Sequence, residues 1–325
     1  MSQSPDPRNA SVDALLDAVP GARGRVAARS WTNDALSLIL EVSGLDGDGR
    51  EALEAKVRAV LAGVPGVSEL RIAMTAEKPV RTVIAIGSGK GGVGKSTVSA
   101  NVAIALARAG RKVGLVDADI YGPSQPRIMG NHERPQARDK TLLPLQAWGV
   151  RMLSIGQLVE AGSALAWRGP MVSSALGQLM DADWGDADTI VVDLPPGTGD
   201  IQLSLVQKWK PDGAVIVSTP QDLALIDAAR AIDLFRKTSV PLLGLVENMA
   251  GYQCPHCGEL SDPFGSGGAE AAAGVMGIPF LGRIPLTLSI RRASDEGTPP
   301  AAGEGEEADA FARIAARLLE QITSD

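Results

Sequence analysis

From Arg81 onward the chain is written in short, almost wholly apolar runs separated by helix-length stretches. The runs are "TVIAI", "KVGLVDAD", "VRMLSI", "DTIVVDLP", "GAVIVST", "PLLGLVEN" and "PFLGRIP", and most are rich in β-branched residues. A strand with one wet face alternates apolar and polar positions. A continuous run belongs instead to a strand covered on both faces, as in a parallel sheet. The alternation of such strands with helices predicts a doubly wound, mostly parallel α/β domain with its ligand site at the carboxyl ends of the strands. "EEADAFARIAARLLEQI" predicts a closing amphipathic helix.

The pattern before Arg81 is different. "SVDALLDAV" reads as a helix, "RVAARSW" and "ALSLILEV" as strands, "DGREALEAKVRAVLAGV" as an amphipathic helix and "VSELRIAMT" as a third strand. These elements predict a small α/β unit over residues 11–76, either a packing and docking module or a client-binding one. Residues 1–10 are polar and contain proline, which predicts a disordered tail. "AEKP" links the small unit to the main domain, residues 77–325.

Composition narrows the function classes. No apolar stretch among the 325 residues approaches the ~18–20 residues of a membrane span. The start "MSQSPDPRNA" lacks the basic flank and apolar core of a secretory signal, so a cytoplasmic location is expected. A net charge of −7 argues against a nucleic-acid surface, which shows as a basic excess.

One stretch carries evident chemistry. "GSGKGGVGKST" (87–97) follows an apolar strand, precedes a helix and contains Gly89-x-x-x-x-Gly94-Lys95-Ser96, a phosphate-binding loop. Its glycines let backbone N–H groups close around phosphate oxygens, with Gly89, Lys90, Gly91, Gly92, Val93, Gly94, Lys95, Ser96 and Thr97 as the nucleotide-binding set. Lys95 would neutralise β/γ-phosphate charge, Ser96 would offer its hydroxyl to Mg²⁺, and the helix dipole would add to both. Such a loop needs one lysine, yet Lys90 supplies a second. It is either a solvated loop lysine or a cation able to reach the γ-phosphate of a nucleotide held by a second copy.

Three further stretches fit around that loop. In "VDADIYGPS", Asp117 and Asp119 point to opposite sides of an extended chain. Asp119, further past the strand end, is expected to orient the attacking water, while Asp117 assists Mg²⁺ or holds the loop. "TIVVDLPPGTGD" puts Asp193 at a strand end, where it would hold Mg²⁺ through water. Gly197 could give its N–H to the γ-phosphate and mark a switch that rearranges on hydrolysis. In "LGLVENM", the Asn248 amide can donate and accept, as reading an adenine edge requires. A strand-end turn residue is the other reading of Asn248.

The two cysteines lie together in Cys254-Pro-His-Cys257. Structural zinc and four-iron clusters both take four protein ligands. One chain supplies two thiolates and, nearby, His256, while His132 is distant in the chain. A two-fold dimer would complete a Cys₄ site on its axis, and the same dimer would serve Lys90. A dithiol redox pair and a structural pair are the competing readings.

Together, "GSGKGGVGKST", "VDADIYGPS", "WRGPMVSSAL", "VVDLPPGTGD", "STPQDLALIDA", "LGLVENMAGYQCPHCG" and "FLGRIPL" resemble the Mrp/ApbC-type iron–sulfur cluster carriers, over about Arg81 to Pro299. The loop itself resembles the deviant Walker A motif of the nitrogenase-reductase/MinD class, and the N-terminal unit resembles, more weakly, a MIP18-like domain. The resemblance implies an ATP-hydrolysing homodimer that binds a [4Fe-4S] cluster between subunits through Cys254 and Cys257 and hands it to apo-proteins. It implies that Lys90 acts across the dimer, that Asp119 is the switch I aspartate and that Asn248 meets the base. The alternative is a MinD/ParA-type positioning ATPase, which needs a basic amphipathic C-terminal helix or a basic surface. The tail from Glu304 carries six acids and two arginines instead. A nitrogenase-reductase-like electron donor would want two well-separated cysteines per chain.

Overall fold

A computed structural model describes residues 6–45, 47–75, 80–158 and 169–323. Residues 1–5 of the expected tail, the linker "AEKP" and the first two residues of "WRGPMVSSAL" lie outside them. The chain divides at Val80/Arg81 into two compact units.

In the first unit, helix α1 (Asn9–Asp17) and helix α2 (Gly47–Leu61) accompany three strands, β1 (Val26–Thr32), β2 (Ala35–Glu41) and β3 (Glu69–Thr75). β1 pairs antiparallel with β2, and β3 pairs parallel with β2. Leu36, Leu38 and Leu40 alternate along β2 and are buried with Leu53, Val57 and Leu61 of α2, so strand and helix periods meet in one core. The expected tail ends earlier than residue 10, because α1 already opens at Asn9. The reason lies in Trp31: its indole N–H donates to Asn9 Oδ1 at 3.0 Å, and the Arg8 guanidinium lies 3.9 Å from its ring centroid.

The second unit is built on a sheet of nine strands among the described residues. In chain order its elements are β4 (Thr82–Gly87), α3 (Lys95–Arg108), β5 (Val113–Asp117), α4 (Gln125–Ile128), β6 (Ala137–Arg138), β7 (Thr141–Leu142), β8 (Leu145–Ala147) and β9 (Val150–Ser154). There follow α5 (Gly169–Met180), β10 (Thr189–Asp193), α6 (Asp200–Trp209), β11 (Gly213–Ser218), α7 (Asp222–Lys237) and β12 (Leu242–Gln253). The chain closes with β13 (Leu260–Ser261), α8 (Gly268–Met276), β14 (Phe280–Leu286), α9 (Leu288–Glu296) and α10 (Glu306–Thr323). The sheet order is β13-β12-β11-β4-β10-β5-β9-β8, with β14 also on β12. All pairings in it are parallel except β12–β13 and β8–β9.

The apolar runs are covered on both faces. Ile84 and Ile86 of β4 and Leu115 of β5 enter one core with α3 and α10, while Ala85 and Val116 enter a second core with α5 and α7. Two elements depart from the sequence reading. The polar stretch "NHERPQARDK" is not loop throughout, since Ala137–Arg138 pairs with Thr141–Leu142. Asp139 and Lys140 both have positive φ, 49° and 68°, which suits a two-residue hairpin turn. β12 also runs five residues past Asn248. An irregularity in its register with β14 at Met249–Gly251 re-aims the strand, which then pairs with β13.

Candidate functional site

β4, β10, β5 and β9 end in register, with Asp193 beside Asp117 and Asp117 beside Ser154. The phosphate loop crosses these ends between Gly87 and Lys95. Its glycines answer different demands. Gly92 and Gly94 both sit at φ 80°, where a side chain is strained. A Cβ on Gly89 would come within 2.0 Å of the Asp227 carbonyl of α7, and one on Gly94 within 2.2 Å of Asn248 Nδ2. Gly89 is therefore a packing glycine, pressed against α7. Val93 is buried, and its carbonyl accepts a hydrogen bond from Asn248 Nδ2 at 2.8 Å. The structure thus ties Asn248 to the phosphate loop itself, a contact absent from the sequence reading.

A cavity of about 710 Å³ opens over the loop. Lys90, Gly91, Gly92 and Gly94 line one side with Lys95, Ser96 and Thr97. Asp119, Asn248 and Tyr252 also reach it, and Pro285 to Leu288 with α9 complete the wall. Lys90 has no ion-pair partner among the described residues, and its carbonyl accepts from Ser88 Oγ at 2.9 Å.

Lys95 is buried among carboxylates. Its Nζ lies 2.6 Å from Asp193 Oδ1, 3.5 Å from Asp119 Oδ2 and 3.4 Å from Ser96 Oγ. Burial opposes its charge, but Asp193, Asp119 and Asp117 outweigh burial and raise the ammonium's pKa above its ordinary value. Asp117 is fully buried, and burial followed by repulsion from Asp193 pushes its pKa up to about 7. It accepts from Ser154 Oγ at 2.8 Å and from the Gln125 N–H at 3.0 Å, so it holds the loop, the second of its two expected tasks. Asp119 is 7% exposed, and its Oδ1 accepts from the N–H groups of Tyr121 and Gly122. Gly197 sits at φ 90° and donates its N–H to the Ser88 carbonyl at 2.9 Å. A γ-phosphate that took this N–H would have to displace the Ser88 carbonyl.

The donor set suits Mg²⁺. Ser96 Oγ, Asp193 Oδ1 and Asp119 Oδ2 already surround a cation, the Lys95 ammonium, with hard oxygen ligands.

The cysteines sit at the tip of the β12–β13 hairpin. The Cys254 N–H donates to the Glu259 carbonyl at 2.9 Å, and the Gly258 N–H to the Cys254 carbonyl at 2.8 Å. Backbone N–H groups of Cys257 and His256, with the Cys257 side chain, hydrogen-bond to the Cys254 sulfur and hold its pKa below the ordinary thiol value. That is the electronic requirement of a thiolate ligand. Cys257 is exposed. Among the described residues no group of three or more His, Cys, Asp or Glu side chains is placed to hold a metal.

Residues 79–319 match the model of the NUBPL iron-transfer P-loop NTPases, a ParA-type group. The chain belongs to that family. It is 53% identical over 68% of its length to an Arabidopsis thaliana protein named as an iron–sulfur protein required for NADH dehydrogenase, of which it covers 71%. It is 48% identical over 83% of its length to an iron–sulfur cluster carrier protein of Deinococcus radiodurans, of which it covers 81%. Among solved structures, an Archaeoglobus fulgidus nucleotide-binding protein in complex with ADP matches at 39% identity and TM-score 0.61, over 71% of this chain and 92% of that one. The Pyrococcus furiosus cell-division ATPase MinD matches at 25% identity and TM-score 0.57, over 74% and 99%.

The MinD likeness is one of fold. α10 buries Ala308, Phe311, Ile314, Ala315 and Leu318 in the core, so its apolar face is already used. No described helix is long and apolar enough to cross a membrane.

Other residues at the site carry no motif. Ser99 donates to Asp193 Oδ1 at 2.9 Å, and its position four residues after Lys95, one helical turn on, was the only available signal. Glu247, fully buried, accepts from the Ala269 N–H at 2.8 Å and pairs with Arg283 at 2.9 Å, anchoring α8 against the hairpin strand.

Proposed function

We propose that this chain is an ATP-hydrolysing carrier that holds a [4Fe-4S] cluster between two copies of itself and passes it to apo iron–sulfur proteins. One strand carries the reading. β12 bonds to the phosphate loop through Asn248 and, six residues on, Cys254 opens the thiol knuckle. Nucleotide chemistry and soft sulfur ligands are thereby joined by a single short span of backbone. The names of the relatives, carriers and iron–sulfur proteins, support the same assignment.

In this reading the loop N–H groups bind the phosphates, and Lys95 exchanges its carboxylate partners for β/γ-phosphate oxygens. Mg²⁺, held by Ser96 and through water by Asp193, would neutralise charge on those oxygens. Asp119 accepts a proton-side hydrogen bond from the attacking water, and Asn248 keeps its amide oxygen for the base edge. Lys90 serves the nucleotide of the partner subunit. The cluster is cargo, held by Cys254 and Cys257 of each chain. The N-terminal unit is a small MIP18-like docking module, and the protein works in the cytoplasm, where reducing conditions keep such thiols free.

Anaerobic reconstitution with iron and sulfide tests the reading. Full-length protein should bind about four irons per dimer and activate an apo iron–sulfur enzyme. A fully occupied cluster in a monomer, or in a variant lacking both cysteines, would overturn the shared site. Stoichiometric zinc without transferable iron would remove the carrier role.

A further inference from the structure

No sequence motif points to Gln125, yet it bonds to residues of α3, β10 and β5 at the catalytic end of the sheet. It opens α4, six residues after Asp119, and is fully buried. Its Nε2 donates twice, to the Ser96 carbonyl at 2.9 Å and to Asp193 Oδ2 at 2.9 Å. Both partners are acceptors, so only the NH₂ end of the amide can face them. The Gln125 backbone N–H donates to Asp117 Oδ2. One residue therefore joins the first turn of α3 to the end carboxylates of β10 and β5. Its own Oε1 is buried and has no partner among the described residues.

The two oxygens of Asp193 are held differently. Oδ1 is shared by Lys95 Nζ and Ser99 Oγ. Among the described residues, Oδ2 has Gln125 as its sole donor. A Lys95 that turns to phosphate gives up its bond to Oδ1, and the carboxylate then depends on Ser99 and Gln125 for its orientation.

We propose that Gln125 is a positioning residue for Mg²⁺ binding: it aims the Asp193 carboxylate, and it makes that aim depend on switch I. α4 follows directly on the turn that Asp119 organises, so a displacement of the turn pulls on Gln125 and through it on Asp193. The proposal rests on the reading that Asp193 holds Mg²⁺ through water.

The test separates metal from nucleotide. Gln125→Leu keeps the volume and deletes the donors; Gln125→Glu keeps the shape and turns a carboxylate towards two acceptors. Full-length protein is titrated with a fluorescent ADP analogue in EDTA and in Mg²⁺, with melting temperatures recorded under both conditions. Outer-sphere partners of metal ligands are worth about 10–100-fold in metal affinity. The Leu variant should keep metal-free ADP affinity within about twofold while needing about tenfold more Mg²⁺ to reach half of the Mg²⁺-dependent gain in ADP affinity. The Glu variant should need still more. A Leu variant with the wild-type Mg²⁺ response overturns the proposal. So does one whose melting temperature falls while its Mg²⁺ increment stays intact, because Gln125 would then be a packing residue. Wild-type protein that gains nothing from Mg²⁺ would instead sink the reading of Asp193, and the proposal with it.

Discussion

Lys95 Nζ lies 2.6 Å from Asp193 Oδ1 in a pocket where the side chains are 6% and 0% exposed. Asp119 and Asp117 stand close enough to add to the same field. Removing one partner of a buried pair costs about 3–5 kcal/mol, because the other charge is left uncompensated. Lys95→Ala should therefore lose ATP binding and also lower stability without any nucleotide. Adding Asp193→Asn should restore part of that stability, since Gln125 can still donate to the remaining oxygen while the new amide N–H donates to Ser99 Oγ. Urea unfolding of the two singles and the double checks the cycle, and additive losses would contradict the pairing.

The loop glycines should separate by mechanism. Gly92→Ala meets open space and carries only the cost of a left-handed backbone, about 1–2 kcal/mol. Gly89→Ala drives a methyl into the Asp227 carbonyl of α7, so backbone must move. Gly89→Ala should be the more destabilising of the two in urea unfolding, even though its φ is ordinary.

How far the residues alone could be read depended on whether the chemistry is local in the chain. The phosphate loop, Asp119 and Asp193 each sit at the end of an apolar run, where the strand's termination is itself the signal. The double core was legible for the same reason. Gln125, Ser99 and the packing of Gly89 on α7 were not, because they depend on which strand ends lie side by side. The sheet order places β10 between β4 and β5, an arrangement that hydrophobic periodicity does not encode. Gly197 could be placed in a turn, but the acceptor of its N–H is nearly 110 residues away in the chain, at Ser88.

Asp117 gives stability a pH dependence. Its folded pKa is raised to about 7, above the ~3.9 of an unfolded aspartate, by burial and by Asp193. Between those values the folded state binds more protons than the unfolded one. This term is therefore fully present below about pH 4 and is lost as pH rises through about 7. Asp117→Asn should flatten the decline. Urea midpoints from pH 4.5 to 7.5, without nucleotide or metal, would show it.

Lys90 lines the nucleotide cavity without an ionic partner among the described residues. Lys90→Ala should leave ATP affinity and the fold unchanged while slowing turnover, because the ammonium would act on the partner's nucleotide. Mixing it with Asp119→Asn chains tests the geometry: heterodimers should turn over at a rate that two independent sites cannot explain. Normal turnover with normal dimerisation would retire the role.

The knuckle makes the last prediction. Backbone N–H groups of Cys257 and His256 point at the Cys254 sulfur and favour its thiolate. The pH profile of Cys254 alkylation should therefore have its midpoint below that of an ordinary cysteine. The same N–H groups would stabilise the anionic sulfur that binds iron, so the low thiol pKa and ligation share one cause. Replacing either cysteine by serine removes two of four sulfurs from a dimer. Cys254→Ser and Cys257→Ser should each fail to retain iron after anaerobic reconstitution. Neither thiol lines the nucleotide cavity, so ATP hydrolysis should persist in both variants. Retention of a full cluster by either single variant would mean that ligands come from elsewhere, and iron per dimer with the ATPase rate on the same samples decides it.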